Sequence, residues 1–144
     1  MNVLISVKGI SMDDSLVFRK ANGAYEVLIV EDDAPDQIIV EQQIKALWPN
    51  SKTVAATCLR DAIKILKNQS FDMVLLDLNL RDTLGPKTVY ELRKIAPKVP
   101  VIVMTGMLTS ITADEALKFG ANNIVPKSQI MEPDFFNILE QNAG

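Results

Sequence analysis

The chain contains no histidine. Imidazole general bases, Ser-His-Asp triads and histidine metal sites are therefore excluded together. It has one cysteine, Cys58. An internal disulfide cannot form, and a zinc site built from several cysteines and histidines is ruled out. A single cysteine also fits a reducing compartment. Long basic runs are missing and the formal net charge is -3, which argues against nucleic-acid binding through a bulk positive field. No apolar run approaches the roughly 20 residues that a membrane span needs. The opening "MNVLISVKGI" lacks a basic lead-in and a clear small-residue cleavage site, so it reads as neither signal peptide nor anchor. These absences predict a cytoplasmic protein that engages neither membrane nor nucleic acid directly.

What is present is the composition of a soluble globular protein. The chain has 144 residues, 48% hydrophobic and 23% charged, enough for one domain with a sizeable core. From Tyr25 onward, short apolar runs alternate with segments of helical period. The runs are "YEVLIV", "KTVAAT", "DMVLLD", "VPVIVMT" and a short strand within "ANNIVPK". Between and after them lie "PDQIIVEQQIKALW", "CLRDAIKILKNQ", "KTVYELRKIA", "SITADEALKFG" and "EPDFFNILEQN". Leu59, Ala62, Ile63 and Leu66 fall at i, i+3, i+4 and i+7, the spacing of an amphipathic helix. Thr109 or Ser110 suits an N-cap, and Gly120 a C-cap. Strands alternating with helices predict an α/β fold with a parallel sheet covered on both faces and right-handed crossovers. Residues 1–24 stand outside this rhythm and are expected to form a flexible or loosely docked arm. Residues 25–144 form the domain.

In an open α/β sheet, ligands bind outside the carboxyl ends of the strands. Those ends carry Glu31-Asp32-Asp33, Asp77, Thr105-Gly106 and Lys127. Singly, each has an ordinary reading as a cap, a turn residue or a solvated side chain. In order at one sheet edge, they predict a site. Glu31, Asp32 and Asp77 in a small volume repel one another, and a hard divalent cation relieves that. All-oxygen ligands with several waters suit Mg²⁺. Asp32 and Asp77 are the expected carboxylate ligands, directly or through water, with the Asn79 backbone carbonyl as a third. Glu31 is expected to act in an outer shell or through water. Asp77 can then serve as a nucleophile towards phosphorus. Lys127 and the metal would neutralise the transferred group, and Thr105 would hydrogen-bond a phosphoryl oxygen. Gly106 would leave the phosphorus reachable.

Four motifs, "VLIVEDD" (27–33), "VLLDLNL" (74–80), "VIVMTG" (101–106) and "VPK" (125–127), resemble the receiver domain of two-component response regulators. The resemblance covers Tyr25 to Asn142, and Gly85 and "GANN" (120–123) extend it. It implies a flavodoxin-like (βα)5 fold with strand order 2-1-3-4-5. It implies that Asp77 accepts a phosphoryl group from a phosphohistidine on a histidine kinase or histidine phosphotransfer protein. Glu31 and Asp32 match the acidic metal-binding pair, Thr105 the switch hydroxyl and Lys127 the phosphate-pairing lysine. Output would go through a downstream protein on the helix 4–strand 5–helix 5 face, through a homodimer, or by passing the phosphoryl group on. Such a module is not a free-standing enzyme.

Three positions depart from the family's pattern. Arg81 and Ser128 each stand where proline is common, and a trans bond is expected before Ser128. Ile124 replaces the tyrosine or phenylalanine that turns inward on activation, so a readout through that ring is not expected. Among rivals, a pseudo-receiver would keep the fold and bind proteins without phosphate. A haloacid dehalogenase-type phosphatase needs a second aspartate where Asn79 stands. A flavodoxin needs a Ser/Thr-rich phosphate loop where "EDDAPD" is acidic.

Overall fold

The computed structural model describes residues 22–143. The expected arm lies outside the described residues for positions 1–21. Of its last residues, Asn22 accepts a hydrogen bond through its carbonyl from Asn50 Nδ2 at 3.0 Å. Gly23, at φ 69°, lies so close to Trp48 that a Cβ there would sit 3.2 Å from the indole.

The chain then alternates strand and helix. The elements are β1 (Glu26–Val30), α1 (Ala34–Leu47), β2 (Lys52–Ala56), α2 (Leu59–Asn68) and β3 (Met73–Asp77). A two-strand hairpin follows, β4 (Asn79–Leu80) and β5 (Thr83–Leu84). Then come α3 (Lys87–Arg93), β6 (Val101–Thr105), α4 (Ser110–Lys118), β7 (Asn123–Pro126), a single 3₁₀ turn (Lys127–Gln129) and α5 (Pro133–Ala143). The five long strands pair in parallel in the order β2-β1-β3-β6-β7. With the hairpin set aside, this is the expected order 2-1-3-4-5. The hairpin was not foreseen.

The sheet is buried on both faces because its strands are apolar at both parities. Successive side chains on a strand point to opposite faces. Val27, Ile29, Met73, Leu75, Ile102 and Met104 form one core with Val40 and Ile44 of α1 and Phe135 and Leu139 of α5. Leu28, Val30, Val74, Leu76, Val101 and Val103 form the other with α2, α3 and α4. On α5, Phe135 is buried and its neighbour Phe136 only packs against the margin of that core. Adjacent residues on a helix diverge by about 100°, so the two rings cannot share one environment.

Local chemistry sets most helix ends. Asp33 caps α1, its carboxylate accepting from Asp36 N at 3.0 Å, and Pro35 occupies the first turn. Thr109 is the N-cap of α4, accepting from Thr112 N. α3 is shorter than its periodicity suggested. Past Arg93 the chain tightens, with Ile95 N bonding Leu92 O. The Arg93 guanidinium draws in the carbonyls of Ala96, Val99 and Gly120 and the Asn122 side chain. All peptide bonds among the described residues are trans, that before Ser128 included.

Candidate functional site

Register carries the polar residues to one edge. Asp77 ends β3 beside Met104, Thr105 ends β6 beside Pro126, and Lys127 follows Pro126 directly. Glu31 follows β1 and donates its backbone N–H to Ala56 O at 3.0 Å. One carboxylate oxygen each from Glu31, Asp32 and Asp77 lies within 4.8 Å of the others. Glu31 is wholly buried and Asp77 is 1% exposed, while Asp32 faces solvent.

One ammonium serves this cluster. Lys127 Nζ lies 2.8 Å from Glu31 Oε1, 2.9 Å from Asp36 Oδ2 and 3.3 Å from Asp77 Oδ2. Burial pulls this ammonium down, but Glu31, Asp36 and Asp77 push it up by more, so it is held above its ordinary value. Burial first, then the neighbouring Asp77, pushes the Glu31 carboxyl up from 4.5 to about 7. Lys127 and the Asp33 N–H, which bonds Glu31 Oε2 at 3.2 Å, work against that rise without cancelling it.

The remaining expected residues surround this centre. Thr105 is nearly buried, and its hydroxyl both donates to Met107 O and accepts from Met107 N at 3.3 Å. Asn79 donates its backbone N–H to Asp77 Oδ1 at 3.1 Å, and its carbonyl belongs to the short hairpin. A Cβ at Gly106 would meet nothing within 4 Å, so the space there is open. Arg81 reaches Thr57 Oγ1 at 3.4 Å. Ile124 packs at the margin of the α2–α4 core.

The donor set fits a hard divalent cation. Three oxygens converge, and one belongs to a carboxyl that burial and the neighbouring Asp77 push up. Two residues escaped sequence reasoning. Asp36 reaches Lys127 from the first turn of α1; the only hint was an acid one turn into a helix that starts at the acidic triplet. Asp82, in the hairpin turn, accepts from Leu59 N and Arg60 N at 2.9 Å. It thereby caps α2, whose own N-cap Cys58 offers no side-chain bond. Burial pulls the Asp82 carboxyl up, but these N–H groups outweigh that and hold it below its ordinary value.

A doubly covered parallel sheet with ordered acids and a lysine gathered at its carboxyl edge defines a flavodoxin-like α/β protein. Residues 27–136 match the model of the response regulator receiver domain, and the chain belongs to that family. The transcriptional regulatory protein ZraR of Escherichia coli K12 is 32% identical over 96 residues, 67% of this chain and 21% of that protein. The chain thus spans about a fifth of the length of the curated relatives it matches. The receiver domain of a DNA-binding response regulator (merR) from Colwellia psychrerythraea 34H superposes with a TM-score of 0.74 at 25% identity. That match covers 81% of this chain and 96% of that one. The receiver domain of a Pseudomonas aeruginosa PAO1 sensor histidine kinase, solved with magnesium in its active-site cleft, gives 0.70 at 22%, covering 84% and 98%. Receiver domains are signalling modules rather than classical enzymes. Among the described residues, no helix is long and apolar enough to cross a membrane.

Proposed function

We propose that this chain is a working phosphoacceptor, taking a phosphoryl group onto Asp77 from the phosphohistidine of a histidine kinase or histidine phosphotransfer protein in the cytoplasm. The observation that carries this reading is the buried Asp77 carboxylate, with Lys127 Nζ at 3.3 Å and two further acids beside it. A carboxylate so placed is a nucleophile with a cation ready for the group it will receive.

In the reaction, an Asp77 oxygen attacks phosphorus and forms the new P–O bond. The P–N bond to the protonated phosphoimidazole breaks, and the ring leaves neutral with the electron pair. Lys127 holds its ammonium against the incoming phosphoryl oxygens. The Asn79 N–H, already on Asp77 Oδ1, keeps the acceptor oriented. Glu31, Asp32, Asp77 and the Asn79 carbonyl would hold Mg²⁺, which when bound offsets the charge of carboxylates and phosphoryl group together.

Thr105 exchanges its Met107 contacts for a phosphoryl oxygen and so frees the β6–α4 loop. With Ile124 in place of an aromatic ring, output passes through that loop and the α4–β7–α5 face to a downstream protein or second copy, or the phosphoryl group moves on.

The test is intact mass after incubation with a small phosphodonor, with and without Mg²⁺, for the native chain and Asp77→Asn. A Mg²⁺-dependent gain of one phosphoryl group, absent in the variant, is expected. No gain from the phosphodonor or from a panel of phosphorylated histidine kinases would refute the reading and leave a phosphate-independent binding module.

A further inference from the structure

Lys127 is shared among three carboxylates, and the acceptor is the most distant. Its ammonium lies 2.8 Å from Glu31 and 2.9 Å from Asp36, against 3.3 Å from Asp77. An ammonium has three N–H donors; here one donates to Asp36 Oδ2, and Glu31 and Asp77 lie within ion-pair reach. A phosphoryl oxygen arriving on Asp77 competes with these acids for the same ammonium.

The burial of the acids decides which one yields. Glu31 is wholly buried, so water cannot replace the ammonium there. Asp77 carries the phosphoryl group itself. The Asp36 side chain is 35% exposed, and water can replace the ammonium there. Asp36 also sits on α1, held in the first turn by the bond from its N–H to Asp33 Oδ2. It therefore holds Lys127 to the first turn of that helix.

We propose that Asp36 is a positioning residue that competes with the phosphoryl group for Lys127 and so restrains phosphorylation of Asp77. The pair stabilises the unphosphorylated form, and its rupture is part of the cost of accepting the group. This rests on the phosphoacceptor reading above. A partly exposed ion pair changes an equilibrium by about two- to fivefold, and screening by salt reduces that.

The experiment compares the native chain with Asp36→Asn, and with Glu140→Gln, which removes one exposed charge from α5. Uptake from acetyl phosphate in Mg²⁺ is timed by intact mass at low and high salt. Asp36→Asn is expected to take up the group about two- to fivefold faster, with the gain shrinking at high salt. Glu140→Gln should change neither. Uptake in Asp36→Asn that is unchanged or slower would overturn the inference. If no chain takes up the group from acetyl phosphate or from a panel of phosphorylated histidine kinases, the phosphoacceptor reading falls and the restraining role with it; uptake that occurs but is equal in the native chain and Asp36→Asn overturns the restraining role alone.

Discussion

Replacing Glu31 with glutamine probes the electrostatics of the site without touching the acceptor. In the folded chain this carboxyl titrates near 7 instead of 4.5, through burial and the proximity of Asp77. Between those values the folded state binds a proton that the unfolded state has released. Stability therefore falls as pH rises through this window. The contribution is fully present below 4.5 and lost as pH passes through about 7. At roughly 1.4 kcal/mol per pH unit, the loss is on the order of 3 kcal/mol. Glutamine keeps the shape and removes the charge. Lys127 is not orphaned by the change, because Asp36 and Asp77 remain on it. The native chain should therefore lose about 2.5 kcal/mol of unfolding free energy from pH 5 to pH 8 in Mg²⁺-free buffer, and Glu31→Gln should stay nearly level. The absence of histidine leaves few other side chains titrating in that range. Urea unfolding read through Trp48, which is buried against Tyr25, measures both curves. Saturating Mg²⁺ should flatten the native curve and leave the variant as it was. Equal slopes in the two proteins without metal would refute the reasoning.

Two further outcomes are expected. Asp82→Ala removes the acceptor of the Leu59 and Arg60 N–H groups and should cost about 1 kcal/mol in urea unfolding at pH 7, as loss of a helix cap does. Because the folded Asp82 carboxyl lies below its ordinary 3.8, that difference is present above 3.8 and should vanish as pH falls through the folded value. A variant as stable as the native chain at pH 7 would sink the assignment. Met107→Glu and Asn79→Ala alter exposed side chains beside the acceptor. They should change the lifetime of the aspartyl phosphate, followed by intact mass, while leaving stability within about 0.5 kcal/mol. Unchanged lifetimes in both would count against their flanking the path of water.

Much of this protein was legible along the chain because its signals are local. Burial on both faces writes β1, β3 and β6 as unbroken apolar runs, and amphipathic period marks α2. An acid, a hydroxyl or a lysine ending such a run must arrive at the same sheet edge when the strands are parallel. Glu31, Asp32, Asp77, Thr105 and Lys127 were named on that ground, and the structure brings them to that edge. Other features depended on tertiary placement. Lys127 and Asp36 are 91 positions apart, and their meeting depends on how α1 lies against the end of β7. Asp82 caps α2 across 22 and 23 positions, since the hairpin folds back over the end of β2. Arg93 gathers carbonyls from two loops at the end of α3. A long side chain has many reachable partners, and only the packed arrangement of elements selects among them. Sequence by itself determined which chemistry stands at the sheet edge. The tertiary structure decided which charge holds which, because that depends on distances of a few ångströms between elements remote along the chain.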